Sequence, residues 1–414
     1  MKKLLLLIFL SVTSANAQSL NDIFRESKQA FANKDYVTFL RLTQKLDSMR
    51  PMHPSFSYNL ASAYALNNEQ EKTFNTLKRI ALMDNRVSIT NDETFAGFIK
   101  TDYYNKFQQL RTSQDIIVSN SEKQIALSEK LLHPEGLVYL PGTGWLATSV
   151  RKRKIVSFDI ASGNCTDWLA EKDMLAVFSV RISKDGKYLW AATAAIPEME
   201  NYDASLEGKA EVLKIDIAAK KVIKRFSVEG NHVFGDLVTG SGVVYISDST
   251  LPVIYKIEND TIAEWLDLSR EAYNLQGITI DEKETVLFVA DYLKGITAIS
   301  IKDKKHSWFT FPEGTTPKGI DGLTYCNNSL FAIHNGVTPI RIVQYKLNDA
   351  KKGITNYTIT DRNRAEFNEP VLGTIHKDGF YFFANSPWKA YDKYGVPDES
   401  KVGNPELFVY KFKK

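Results

Sequence analysis

Residues 274–292 read NLQGITIDEKETVLFVADY. A polar residue and a glycine lead into a short apolar strand, GITID; a charged turn, EKET, follows; a second apolar strand, VLFVADY, closes on an acid. Short apolar runs bounded by turn formers are the mark of a β-hairpin. The same layout returns in HPEGLVYLPGTGWLATSV (133–150), FSVRISKDGKYLWAAT (178–193), FGDLVTGSGVVYISDS (234–249), IDGLTYCNNSLFAIHN (320–335) and VLGTIHKDGFYFFANS (371–386). The chain therefore repeats one hairpin six times, with inner strands beginning near Gly136, Ser179, Asp236, Gly277, Gly322 and Gly373.

Each copy runs on into two further short strands, such as RKIVSFDI then CTDWLA, or AEVLKIDI then KVIKRFSV. Four strands in every 40–50 residues or so is the pattern of a propeller blade. The reading is a mainly β, six-bladed β-propeller over residues 115–414. Its last copy is one strand short, because the chain stops after NPELFVYKFKK. QDIIVSNS and KQIALSEK, which precede the first blade, are available to supply the missing outer strand and remove a free sheet edge. In such a ring the first-strand starts and second-strand ends converge on one mouth of the central channel.

Ahead of the ring, residues 19–112 follow a helical period. Pairs 34 residues apart match in character (Ala30 with Tyr64, Asn33 with Asn67, Leu40 with Phe74, Leu46 with Ile80), which is the tetratricopeptide period. A small tetratricopeptide-like helical domain is expected there, ending in one further helix over TFAGFIKTDYYNKFQQLRT, and a protein or peptide is its expected partner. The first 17 residues, MKKLLLLIFLSVTSANA, combine two lysines, an apolar run and a small-x-small ending: a cleavable signal peptide. With no cysteine at the cleavage point and no later apolar stretch long enough to span a bilayer, the mature protein is expected in the periplasm or outside the cell. The balance of 52 basic against 49 acidic residues argues against a nucleic-acid partner. Cys165 and Cys326 are expected to be unpaired and to form no metal site.

The phrases PEGLVYL, LQGITID and IDGLTY, with the second strands VLFVAD and LFAIHN, resemble the senescence-marker-protein/gluconolactonase superfamily of six-bladed propellers, relatives of paraoxonases and strictosidine synthase. The resemblance covers about residues 115–414. It implies a divalent cation in the channel, calcium by preference, with Glu135 and Asp321 as ligands and Gln276 where the family places Asn. It also gives Asp321 the acid–base role in lactone hydrolysis. In blade three the matching position is Gly235 or Asp236, and in blade two Phe178 or Ser179.

Other rim residues are read from their places at strand starts and ends. His133 and His334 are candidate general bases, since an imidazole titrates near neutrality. Arg151, His232, Asp236, Asn335 and Asn385 are candidate substrate contacts. Asp248 and Asp291 are expected to cap turns, which favour Asp. The two longest excursions, IPEMENYDASLEGK (196–209) and NSPWKAYDKYGVPDES (385–400), are expected to cover a site. The sequence thus supports a metal-dependent lactone or ester hydrolase with a small-molecule substrate in the propeller mouth. The alternative is a non-catalytic binding or protein-interaction module.

Overall fold

The computed structural model describes residues 19–412, so the expected signal peptide lies outside the described residues. The chain folds as two compact units. One holds the residues up to Leu77 together with Ile89–Asn105; the other holds Lys78–Ser88 and everything from Lys106 onward.

In the first unit, α1 (Leu20–Ala32), α2 (Tyr36–Met49) and α3 (Pro54–Leu66) lead into α4 (Gln70–Met83), whose last turns belong to the second unit. Side chains set the starts: Ser19 accepts the amide of Asp22, Asp35 that of Thr38, and Pro54 opens α3 with the fixed φ a first helical residue needs. Apolar residues three and four apart (Ile23, Ala30, Phe39, Leu42, Leu46, Phe56, Ala63) close a common core. The further helix starts later than the sequence suggested. Residues Glu93–Phe95 and Phe98–Lys100 form two 3-10 turns that bury Phe95 and Phe98, and α5 runs Asp102–Asp115.

The second unit is a six-bladed propeller. Blades one to four are consecutive antiparallel four-stranded sheets, with inner strands Leu137–Leu140, Ala176–Ile182, Phe234–Thr239 and Leu275–Ile280. Blade five starts at Ile320–Cys326, and blade six contributes only Thr374–His376, Gly379–Phe383 and Glu406–Lys411 from its own repeat. Glu122–Ala126 pairs with Glu406–Lys411 and supplies the fourth strand, closing the ring as expected. The other early segment goes elsewhere: Val118–Ser119 pairs with Arg362 and Asp361 and adds a fifth strand to blade five. The buried Asp361 carboxylate directs this split. Its Oδ1 takes the amides of Asn120 and Ser121, the Ser121 hydroxyl and the Arg364 guanidinium, so the chain turns there from one blade to the next.

Neighbouring inner strands pack closely around the axis. A Cβ on Gly136 would stand 2.7 Å from the Phe178 carbonyl oxygen, and one on Gly277 would stand 2.8 Å from that of Asp321. Glycine is the residue that permits this approach. Cys165 and Cys326 are free, as expected.

Candidate functional site

The inner strands do not run into the channel mouth regularly; each of blades two to five carries a bulge there. Between Val177 and Ser179, Phe234 and Asp236, Leu275 and Ile278, and Ile320 and Gly322, the pairing register shifts against the second strand. The residues left out of pairing are Phe178, Gly235, Gln276 with Gly277, and Asp321. All five line a single cavity of about 290 Å³. A bulge re-aims its side chain relative to the alternation of the strand, and here it does so at equivalent places in four blades. This resolves the two open alignments: Phe178 and Gly235 take the bulge positions, and Ser179 and Asp236 are the next paired residues.

Glu135, immediately before the first strand of blade one, joins the same lining, as do Asp236, Asn335, Ser249, Tyr292, Glu369, Leu372 and Trp388. Glu135 Oε1 accepts from Ser386 Oγ at 2.7 Å and from Trp388 Nε1 at 2.8 Å. Asp321 Oδ2 accepts from Asn335 Nδ2 at 2.6 Å, and Asn335 is itself held by Pro370 O and the Tyr292 hydroxyl. Asp236, on blade three, ties it to blades two and four, its carboxylate taking the amides of Leu237 and Ile278 and the Arg181 guanidinium. Gln276 Nε2 donates to Asn274 Oδ1.

Burial pushes the Glu135 carboxyl up to about 8, against the pull of its two donors. Asp321 is likewise pushed up to about 8, first by burial and then by the Glu135 charge, with Asp236 and Glu369 adding to it. Asp321 keeps partial access to the cavity, so its surroundings are less dry than those of Glu135, which is 7% exposed. Carboxyl groups so perturbed by burial and like charge mark candidate functional positions.

Of the other expected residues, Asp236 and Asn335 line the cavity and the rest stand elsewhere. His133 lies behind the wall, with Nδ1 2.9 Å from the Tyr391 hydroxyl and Nε2 3.4 Å from Glu135 Oε1; burial pushes it down to about 3, so it is neutral. His334 occupies the slot that Asp248 and Asp291 fill in blades three and four, opposite the first residue of the inner strand. Its two nitrogens are engaged by Lys318 O and the Tyr345 hydroxyl, away from the channel. His232 is held by Asp248 and Glu229 O, Asn385 by Asn404 O and the Glu406 amide, and Arg151 ties Glu198 O to Gly395 O. These four residues hold loops and strand ends in place. Asp248 and Asp291 do cap turns: Asp291 takes the amides of Tyr273, Asn274, Leu293 and Lys294.

The cation expectation meets a partial set. Glu135, Gln276 and Asp321 share one cavity, yet among the described residues no three Asp, Glu, His or Cys side chains are grouped to hold a metal ion. Calcium takes about 6–8 oxygens, while one oxygen each of Glu135 and Asp321 is engaged by protein donors, and Gln276 has only its amide oxygen to add. The residues as placed do not fit a calcium shell.

Sequence reasoning missed Glu369, Trp388, Tyr292 and Ser249. Trp388 stood in an excursion expected to cover the site, Tyr292 and Ser249 are the last residues of two of the repeated hairpins, just past the acids expected to cap turns, and Glu369 sits in a connection without a motif.

No described protein family matches this sequence, and no curated protein resembles it. Among solved structures, it is similar to a virginiamycin B lyase from Staphylococcus aureus, at 14% identity, over 69% of this chain and 97% of that one, with a TM-score of 0.46. It is also similar to the PQQ-bound form of an aldose sugar dehydrogenase from Streptomyces coelicolor, at 13% identity, over 70% of this chain and 97% of that one, with a TM-score of 0.47.

Proposed function

We propose that the propeller channel takes up a small molecule and hydrolyses a lactone or ester bond in it by acid–base chemistry. One observation carries the reading: Glu135 and Asp321, from blades one and five, meet at one cavity with both carboxyls pushed up to about 8. Near neutral pH such a coupled pair keeps a proton that ordinary carboxylates have lost. One member then acts as acid while the other acts as base.

The reactive form of the pair is the one that has lost a single proton, a minor fraction near neutral pH that grows toward pH 8: its ionised Asp321 takes a proton from water as the water oxygen bonds to the acyl carbon. The acyl carbon–oxygen bond then breaks, and the leaving oxygen takes the proton of Glu135. Ser386 and Trp388 hold the Glu135 carboxyl in place, and Asn335 does the same for Asp321. Phe178, Val233, Leu372 and Trp388 give the cavity apolar walls that keep bulk water away. No step is routed through a cation.

A panel of sugar lactones and aryl esters, with and without added calcium, tests the proposal. Turnover lost in both Glu135→Gln and Asp321→Asn is the expected result. Absence of turnover across the panel favours the non-catalytic binding module. Export belongs to the same reading, and a mature protein beginning at Gln18 would support it.

A further inference from the structure

Single exposed apolar side chains are ordinary on a protein surface; several gathered at one opening mark a place of contact. Leu251, Tyr273, Tyr394 and Val396 are all exposed, Tyr394 to 70% and Val396 to 58%. Leu251 comes just after Ser249 and Tyr273 just before Gln276, and both of those residues belong to the cavity wall. The Asn274 amide donates to Ser249 O and joins the two loops. Tyr394 and Val396 share one turn, where the amides of both donate to Asp392 Oδ1, in the strap that carries Trp388 of the wall. The strap leaves blade six, and Arg151 of blade one ties it to the blade-two excursion through Gly395 O and Glu198 O. Inner strands neighbour one another in chain order around the axis, so blades three and four stand across the ring from blades six and one. The mouth therefore has an apolar lip on each side of the channel.

Between the lips, the wall offers little to a charged or heavily hydroxylated molecule. Phe178, Val233, Leu372 and Trp388 give it apolar surface. Its polar side chains are bonded within the protein: Asp236 to Arg181 and two amides, Asn335 to Asp321 and Pro370 O, Gln276 to Asn274, and Glu369 to Lys389. Glu135 and Asp321 hold their protons to about 8, so near neutral pH they add little charge. The cavity of about 290 Å³ corresponds to about ten water molecules. That is room for a lactone ring and a short substituent; a longer substituent emerges between the lips.

We infer that the substrate is an uncharged lactone or ester bearing an apolar chain or ring, which lies across the mouth between Tyr394 and Val396 on one side and Leu251 and Tyr273 on the other. The inference rests on the channel being the hydrolytic site, and it adds the substrate class. Sugar lactones, whose hydroxyls would lose water without gaining partners in this wall, are poor substrates by the same argument.

The full chain is tested with γ-butyrolactone, γ-decalactone and glucono-δ-lactone for turnover, and with cyclopentanone and 2-hexylcyclopentanone, which cannot be hydrolysed, for binding by calorimetry. The kcat/KM for γ-decalactone is expected to exceed that of each smaller or hydroxylated lactone about tenfold or more, and the hexyl ketone to bind tighter than its parent by a similar factor. Leu251→Ser and Tyr394→Ser, both at exposed positions, are each expected to lower the decalactone-to-butyrolactone ratio severalfold. Ile223→Ser, exposed on the outer strand of blade two, is expected to leave that ratio unchanged. A preference for glucono-δ-lactone, or a ratio unaltered in both lip variants, overturns the inference and leaves the hydrolase proposal standing. No turnover of any lactone sinks the hydrolase proposal, and the ketone pair then decides: equal binding of the two overturns the inference as well. Self-association or vesicle binding that the lip variants abolish, with the ratio unaltered, makes the lips a partner surface and overturns it too.

Discussion

The stability of the propeller should fall as pH rises from 6.5 to 8, and Asp321→Asn should remove about half of that fall. In the unfolded chain Asp and Glu release their protons near pH 4; in the fold Glu135 and Asp321 hold theirs to about 8. Between those limits the folded state binds more protons than the unfolded state, so stability decreases with rising pH. His133 and His334 act in the other sense. Burial pushes both down to about 3, so below their ordinary titration near 6.5 the unfolded state binds more protons and stability decreases as pH falls. The two effects oppose one another between about pH 4.5 and 6.5 and leave only the carboxyls acting above it. Each carboxyl then contributes a slope of at most about 1.4 kcal/mol per pH unit. Over this interval the Asp321 share is about 2 kcal/mol at most, and about 1 kcal/mol if the cavity is well hydrated. That corresponds to a few degrees in melting temperature. All six tryptophans lie between Trp145 and Trp388, within the propeller unit, so their fluorescence follows this unit alone. Thermal melts in steps of pH for the native chain and for Asp321→Asn give the two slopes. Parallel profiles would refute the reasoning, because they would mean that Asp321 is ionised in the folded protein throughout.

Gly277→Ala should lower propeller stability by about 2 kcal/mol or more, since its Cβ meets the backbone of blade five; a melt unchanged within a degree would contradict the close approach. His334→Gln should lower the melting temperature yet leave ligand affinity in the channel unaltered, whereas Glu135→Gln should do the reverse, as measured by melting and calorimetry on the same preparations. Trp388→Phe keeps the aromatic wall but removes the indole donor to Glu135, and should reduce turnover by about tenfold with little change in binding of the substrate. A chelator should leave the melting curve where it is; a rise on adding calcium that Asp321→Asn abolishes would restore the cation reading.

The number of blades, their hairpin order and the closure of the ring were legible in the chain because each depends on local pattern. Strands alternate with period two and turns require particular residues, so six copies of one hairpin describe six sheets, and a last copy lacking a strand announces that another segment must supply it. Glu135 and Asp321 were legible through the resemblance, whose phrases PEGLVYL and IDGLTY set each of them beside a glycine at the start of an inner strand.

Which side chain faces the channel was decided by tertiary structure. His334 and Asn335 are neighbours, and both were candidates. The strand's alternation sends His334 to Lys318 O and Tyr345, while Asn335 reaches Asp321. A single bulged residue reverses that alternation, and nothing in the sequence around Phe178 or Gly235 reveals that the register shifts there, because a bulge is a relation between two strands. Trp388 reaches the cavity from a connection held to blade one through Ser386 and Trp388 on Glu135, and Glu369 from one tied to the end of blade six by Asn368, which bonds Ala384 O and the Ser386 amide. Repetition in the chain therefore specified the ring, and the departures from repetition that build its centre were specified by contacts between residues as many as 253 positions apart.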